Sequence, residues 1–354
     1  MQLLIIAFLL FIVNPTLAAP HQSEHEAPPL PDGMPFPSPG QLREIELRAH
    51  GTLPNTPLPD HISREGIVNL QLIAFNELFE VAFFNELLLN VTNNVTGFEI
   101  PDEENRNMVV RSLTAIRAQE ELHALSANYA LQHFNVSPIL PCRYHFPVSD
   151  FDHAIALAAT FTDLVLGTLQ DVVERFAVGG DFNFTRIISS VIGNEGEQEG
   201  WFRLLQDKIP SELPFLTTSD LNFAFTAIQA FVVPGSCPNI DEIPLETFHF
   251  LAILTPPANT TQTIRVAWRP TETGAPGQHV WMTYINQLNL PIVEPMNIIS
   301  VEHRTVVAEV LFPYDEYLMN GLTIAAVTNS SGPFPNANAV ARATVAGPGL
   351  IVVN

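Results

Sequence analysis

The stretch Ala118-Gln119-Glu120-Glu121-Leu122-His123 decides how this chain is read. It lies within a run from Asp102 to Phe134 whose apolar residues recur at helical spacing, with Val109, Leu113, Ile116, Ala127, Ala130 and Phe134 on one stripe. Glu120 and His123 fall inside that stripe, and Glu-x-x-His spacing sets both side chains on one helix face. Glu121 falls outside it, one turn after Arg117, and reads as a solvated ion-pair residue. A carboxylate in the middle of an apolar face is informative because removing it from water is costly unless something compensates.

The neighbouring segments repeat the pattern. Near Asp60 to Asn90, the stripe Leu70, Ile73, Val81, Phe84 contains Glu77. Near Asn183 to Gln206, Phe184, Ile188, Val191, Phe202 and Leu205 bracket Glu195 and Gln198, while Glu197 and Glu199 point elsewhere. Another helical run spans Asp150 to Val178 and is closed by Gly179-Gly180. A shorter fifth follows Thr218-Ser219-Asp220 and stops before Pro234-Gly235. Four long helices with modest connections over 61–240 describe a four-helix bundle. The bundle would carry Glu77, Glu120, His123 and Glu195 into one core, where a divalent metal would offset their desolvation.

From about residue 241 to 354 the texture changes to short β-branched and aromatic runs between Pro, Gly and Asn. Thr263 to Trp268, His279 to Ile285, Thr305 to Leu311, Leu322 to Thr328 and Val345 to Val353 read as strands of a small β-sandwich-like domain. The fold class is therefore mostly α with a β C-terminal part. Residues 19–60 are rich in Pro, His and Glu and read as an extended or disordered linker. His21 and His25 within it could meet a soft metal, but a solvated tail is the simpler reading.

Residues 1–18 carry an apolar run from Leu3 to Val13, too short for a bilayer span of about 20 residues. Small residues follow, suited to signal-peptidase cleavage just past Ala18, although the usual Lys or Arg at the start is missing. No later stretch reads as a membrane anchor, so the expectation is a secreted protein of the extracellular space or cell wall. Six Asn-x-Ser/Thr triplets, at Asn90, Asn94, Asn135, Asn183, Asn259 and Asn329, suit N-glycosylation. The two cysteines, Cys142 and Cys237, read as one disulfide in an oxidising compartment.

The charge balance excludes one class of partner. The 354 residues hold 37 Asp and Glu against 15 Lys and Arg, a formal charge of -22, so nucleic acid is not expected. Apolar residues make up 47%, enough to build a core in two domains of ordinary size. His249 and His303 lack neighbours at metal spacing, and Trp201, Trp268 and Trp281 read as packing residues more readily than as a sugar platform. Cell-wall polysaccharide or another extracellular protein are the candidate partners for the β-rich part.

The stretches Asn76-Glu77-Leu78-Phe79-Glu80, Ala118 to His123, Gly167-Thr168-Leu169-Gln170-Asp171 and Asn194-Glu195-Gly196-Glu197-Gln198-Glu199-Gly200 give the chain a family likeness. It resembles the ferritin-like carboxylate bundles, and more closely the secreted fungal ferritin-like proteins of the late sexual development and stress-response group, related to plant desiccation-related proteins. That resemblance covers roughly 61–250, and its fungal branch also carries a β-rich tail. It implies a dimetal site with Glu on the first helix, Glu-x-x-His on the second, Glu on the third and Glu-x-x-His on the fourth. This sequence supplies Glu77, Glu120, His123 and Glu195 but has Gln170 and Gln198 where the second ion would need ligands; Glu174 is the substitute if the third helix is out of register.

Three readings follow. The leading one is a non-catalytic structural protein associated with stress or development, in which a partly degenerate site has become a hydrogen-bonded polar core. The second keeps a single divalent metal (Fe, Mn or Zn) on Glu77, Glu120, His123 and Glu195. The third is a dimetal oxidase or ferroxidase.

Overall fold

The computed structural model describes residues 29–270 and 279–354. The expected signal peptide, His21 and His25 lie outside the described residues, as does the start of the expected linker.

Four long helices follow the sequence periodicity to within a few residues: α2 (Arg64–Thr92), α3 (Glu103–His133), α4 (Phe151–Val178) and α5 (Phe182–Leu205). A short helix α1 (Pro39–Ala49) precedes them and α6 (Leu221–Gln229) follows. Helix starts are fixed by side chains that accept otherwise unpaired backbone N–H groups: Ser63 from Gly66, Asp102 from Asn105, Asp150 from His153. Helix α5 differs. Its N-cap residue Asp181 makes no such bond and instead accepts from the Ser63 backbone N–H (3.0 Å) and hydroxyl (2.6 Å), tying the start of α5 to the start of α2. Gly66 permits this close approach, since a Cβ there would come within 2.6 Å of the Asp181 carboxylate.

Helix α2 packs on α3 and α4, and α4 packs on α5. Their shared core contains a knot of aromatic rings in which Phe79 and Phe83 meet Phe146 and Phe161 at 4.9–5.7 Å between centroids. Ring pairs at these separations and steep angles are favourable beyond the area they bury. The Cys142–Cys237 disulfide forms across 95 residues and clamps the chain after α3 to the chain after α6.

Two sequence expectations are corrected here. Within 19–60, the described part is not an extended linker: Ser38 and Gln41 form a capping box that starts α1, and α1 buries Ile45 and Ala49 against α3. Asp32 then meets Arg117 of α3 at 2.5 Å, docking the segment electrostatically as well. Two helices, α2 and α4, are also long and apolar enough to cross a membrane by length and composition. Their most apolar windows are 83% and 78% buried inside the protein, the reason being that a central helix surrounded by others must be apolar on every side.

The C-terminal part contains β1 (Leu251–Ile253), β2 (Gln262–Trp268), β3 (Trp281–Asn286), β4 (Ile292–Glu302), β5 (Thr305–Phe312), β6 (Gly321–Thr328) and β7 (Thr344–Val353). Two short helices interrupt it, α7 (Tyr314–Tyr317) and α8 (Ala337–Ala343). These strands do not form two stacked sheets as expected. They form one antiparallel sheet in the order β1-β2-β5-β4-β3-β6-β7, nearly closed on itself because His249, just before β1, bridges Ala346 of β7. The long strand β4 makes the difference. It pairs with β3 through Ile292–Pro295 and with β5 beyond it, with a register shift between Ile298 and Ser300 that lets the sheet curl.

Strand β6 is buried along its whole length. One face points into the sheet's own core, and the other packs Ile324 and Ala326 with α8, with Leu164 of α4 and with Phe223 of α6. The strap between α5 and α6 completes this junction: Thr217 donates to the Leu322 carbonyl at 2.5 Å, and the Ser219 N–H donates to the Gly167 carbonyl at 3.2 Å. The sheet is therefore seated directly on the helices.

Candidate metal centre

Three helices bring together the four residues singled out by their place in apolar stripes. Glu77 of α2, Glu120 and His123 of α3, and Glu195 of α5 each offer one ligand atom, and these atoms all lie within 4.8 Å of one another. The three glutamates are fully buried, and the His123 side chain is 15% exposed. The junction of α2 with α5 explains part of the convergence. Glu77 lies 14 residues beyond Ser63 and Glu195 lies 14 beyond Asp181, so both stand at the same depth, about 21 Å of helical rise from that junction.

His123 Nδ1 lies 2.8 Å from Glu120, 3.4 Å from Glu77 and 3.9 Å from Glu195. Among the described residues, no oxygen of Glu77 or Glu195 accepts a well-aligned hydrogen bond, His123 meeting them only as an ion pair. Burial raises the Glu77 pKa to about 7 against the pull of His123. Burial likewise pushes Glu195 well above the usual carboxylate range, reinforced by the charges of Glu80, Glu120 and Glu77. At His123 burial disfavours the imidazolium, but Glu120 and Glu77 outweigh it and lift the pKa well above the ordinary value.

The amide of Gln198 also belongs to the group. It donates to Glu120 Oε1 at 2.6 Å and lies 3.2 Å from Gln119 Oε1 and 3.3 Å from Asn194 Oδ1. Gln170 does not join it. Helix α4 turns Val165, Leu169 and Val172 toward Glu77 across a small cavity, while Gln170 is part-exposed one residue off that face. Glu174 is exposed and supplies no substitute. The expected register of the third helix is thus off by one position, since Gln170 borders the face that meets Glu77 and does not lie on it.

The carboxylate that sequence reading missed is Glu80. It is fully buried one turn from Glu77, its Oε1 accepts from Asn76 at 3.3 Å and its Oε2 has no partner. Burial and the charges of Glu120 and Glu77 hold its pKa well above the usual range. The signal was present: Glu77-x-x-Glu80 puts a second acid on the same apolar face. Glu121 is corrected as well. It does sit 3.2 Å from Arg117, but it is fully buried rather than solvated, because α1 and Asp32 cover that side of α3. Burial raises its pKa to about 8 despite Arg117.

Glu197 is exposed, whereas Glu199 is buried in a separate acidic group with Asp163 and Glu212, beside Arg203. Among the glycosylation triplets, Asn94, Asn135, Asn183, Asn259 and Asn329 are exposed and Asn90 is half-buried. Trp268 is buried in the sheet core, Trp201 packs on Phe202 and Trp281 stacks beside His279. His303 is exposed in the turn between β4 and β5, and His249 contributes a backbone carbonyl to the sheet closure.

Three carboxylates and one imidazole are a donor set for a divalent ion of intermediate hardness such as Mn²⁺, Fe²⁺ or Zn²⁺. The buried oxygens without partners fit that group, since a cation would satisfy them together. Comparison with protein-family models and with curated proteins returns no match. Fold and site together define a helical bundle with a buried carboxylate–histidine centre, seated against an antiparallel β-sheet.

Proposed function

We propose that this chain is a secreted glycoprotein whose ferritin-like bundle holds one divalent metal ion on Glu77, Glu120, His123 and Glu195, in a structural rather than a catalytic role. One observation carries the reading: ligand atoms from three helices converge to within 4.8 Å in a buried core. The oxygens of Glu77 and Glu195, which accept no well-aligned hydrogen bond, add weight to it. Burying a carboxylate without hydrogen bonds costs far more than burying a paired one, and a coordinated cation removes that cost while pinning α2, α3 and α5 to each other. The ion would supply charge neutralisation and a cross-link. The disulfide and the exposed Asn-x-Ser/Thr sites are consistent with an extracytoplasmic setting.

A metal-free polar core is the competing reading, and the 2.6 Å bond from Gln198 to Glu120 favours it, as does the pKa of Glu77 near 7. Elemental analysis of protein purified without chelators separates the two. About one equivalent of metal is expected, together with a stabilisation of about 4 kcal/mol when the ion is present at about 1,000 times its Kd. In the His123→Ala variant both should vanish. Protein that takes up no metal after exposure to Mn²⁺, Fe²⁺ and Zn²⁺ would overturn the proposal, and two equivalents would favour the dimetal oxidase instead.

A further inference from the structure

The buried acidic group around Glu120 includes a fourth carboxylate, Glu80, that the one-ion site does not use. Two ions sharing this core would sit close enough for a carboxylate to bridge them, with one oxygen on each. Glu120 stands between the two halves, since its Oε2 faces His123 and its Oε1 faces α5.

We propose that Gln198 limits the centre to a single ion by occupying the second oxygen of Glu120. Its amide nitrogen donates to Glu120 Oε1 at 2.6 Å, so that oxygen is committed and Glu120 can ligate only through Oε2. The amide cannot simply turn its oxygen inward and become a ligand. Its nitrogen lies 3.2 Å from Gln119 Oε1 and 3.3 Å from Asn194 Oδ1, amides that can turn with it, but a reversed Gln198 would set its oxygen against the Glu120 carboxylate, which cannot. A donor N–H₂ therefore points at the Glu120 oxygen that a second cation would need. Gln198 is a positioning residue: it touches no metal and decides how many can bind.

This inference rests on the one-ion reading, and its test keeps the two apart. Full-length protein is equilibrated with Mn²⁺ alone, bound metal is counted after dialysis, and electron paramagnetic resonance reads coupling between ions. The wild type is expected to hold one equivalent. Gln198→Glu removes the donor and adds a ligand, and is expected to hold two, with reduced signal per Mn²⁺ because bridged ions couple. Adding Glu80→Gln to that variant should return it to one equivalent, while Glu80→Gln alone should leave the wild-type count. Circular dichroism verifies the fold, and Gln198→Ala serves as a second variant, expected to admit a second, weaker equivalent. One equivalent in both Gln198 variants overturns the role of Gln198 alone, whereas two in the wild type overturns the one-ion reading as well. No metal in any protein overturns the one-ion reading, and this inference with it.

Discussion

Replacing Glu199 by Gln should stabilise the protein at neutral pH and do nothing at acid pH. Glu199 is 3% exposed and neither of its oxygens has a hydrogen-bond partner. Burial, with the charge of Glu212 added, pushes its pKa to about 9, only partly countered by Arg203 and Lys208. The unfolded chain releases this proton near 4.5 and the folded one near 9, so the folded state binds more protons between those values. Its contribution to stability is then fully present below pH 4.5 and is lost as pH rises toward 9. Keeping a carboxyl neutral at pH 7 against an unfolded value of 4.5 costs about 3 kcal/mol. Gln is neutral at every pH, close to isosteric with the protonated acid, and avoids that cost. Urea unfolding of metal-free protein at pH 7 should show Glu199→Gln more stable by up to about 3 kcal/mol, or about 4 °C in a thermal scan. At pH 4 the two curves should coincide. A Gln variant that is less stable at pH 7 would refute the reasoning, because it would mean that Glu199 is ionised and held by Arg203 or Lys208.

Three further outcomes are expected. Arg117→Met should destabilise by about 3 kcal/mol in urea unfolding, since it strips the buried Asp32 of its 2.5 Å partner. A loss confined to about 0.5 kcal/mol would mean that Arg48, at 3.4 Å, can replace it. Removing the disulfide with Cys142→Ala and Cys237→Ala together should cost about 4 kcal/mol, the loop-closure entropy of a ring of this size, and the same loss should follow reduction of the wild type. Gly167→Ala should cost about 1–3 kcal/mol by overpacking, because a Cβ there would run into the Thr217 carbonyl where the strap crosses α4. A neutral result would mean the strap moves freely, which limited proteolysis between α5 and α6 would reveal.

The sequence by itself determined what depends on near neighbours along the chain. The period of Leu70, Ile73 and Phe84, or of Val109, Leu113 and Ile116, marks a helix and its inward face without reference to any partner, and capping residues such as Asp102 and Asp150 mark where it starts. Glu77, Glu120, His123 and Glu195 were legible for the same reason, each being a polar residue on an apolar stripe. The tertiary structure alone decided what depends on rotation and depth between elements. The Ser63–Asp181 contact sets α2 and α5 level, so that Glu77 and Glu195 meet. Helix α4 meets Glu77 through Val165, Thr168, Leu169 and Val172 rather than through Gln170, a rotation set by the helices packed around it. Covering by α1 turned Glu121 from a surface ion pair into a buried one. The near-closure of the sheet followed from β2 pairing with β5, β3 with β6 and His249 with Ala346, contacts between residues distant in sequence. Local periodicity fixes which side of an element is apolar, but which residues meet across elements is set by packing that no single segment encodes.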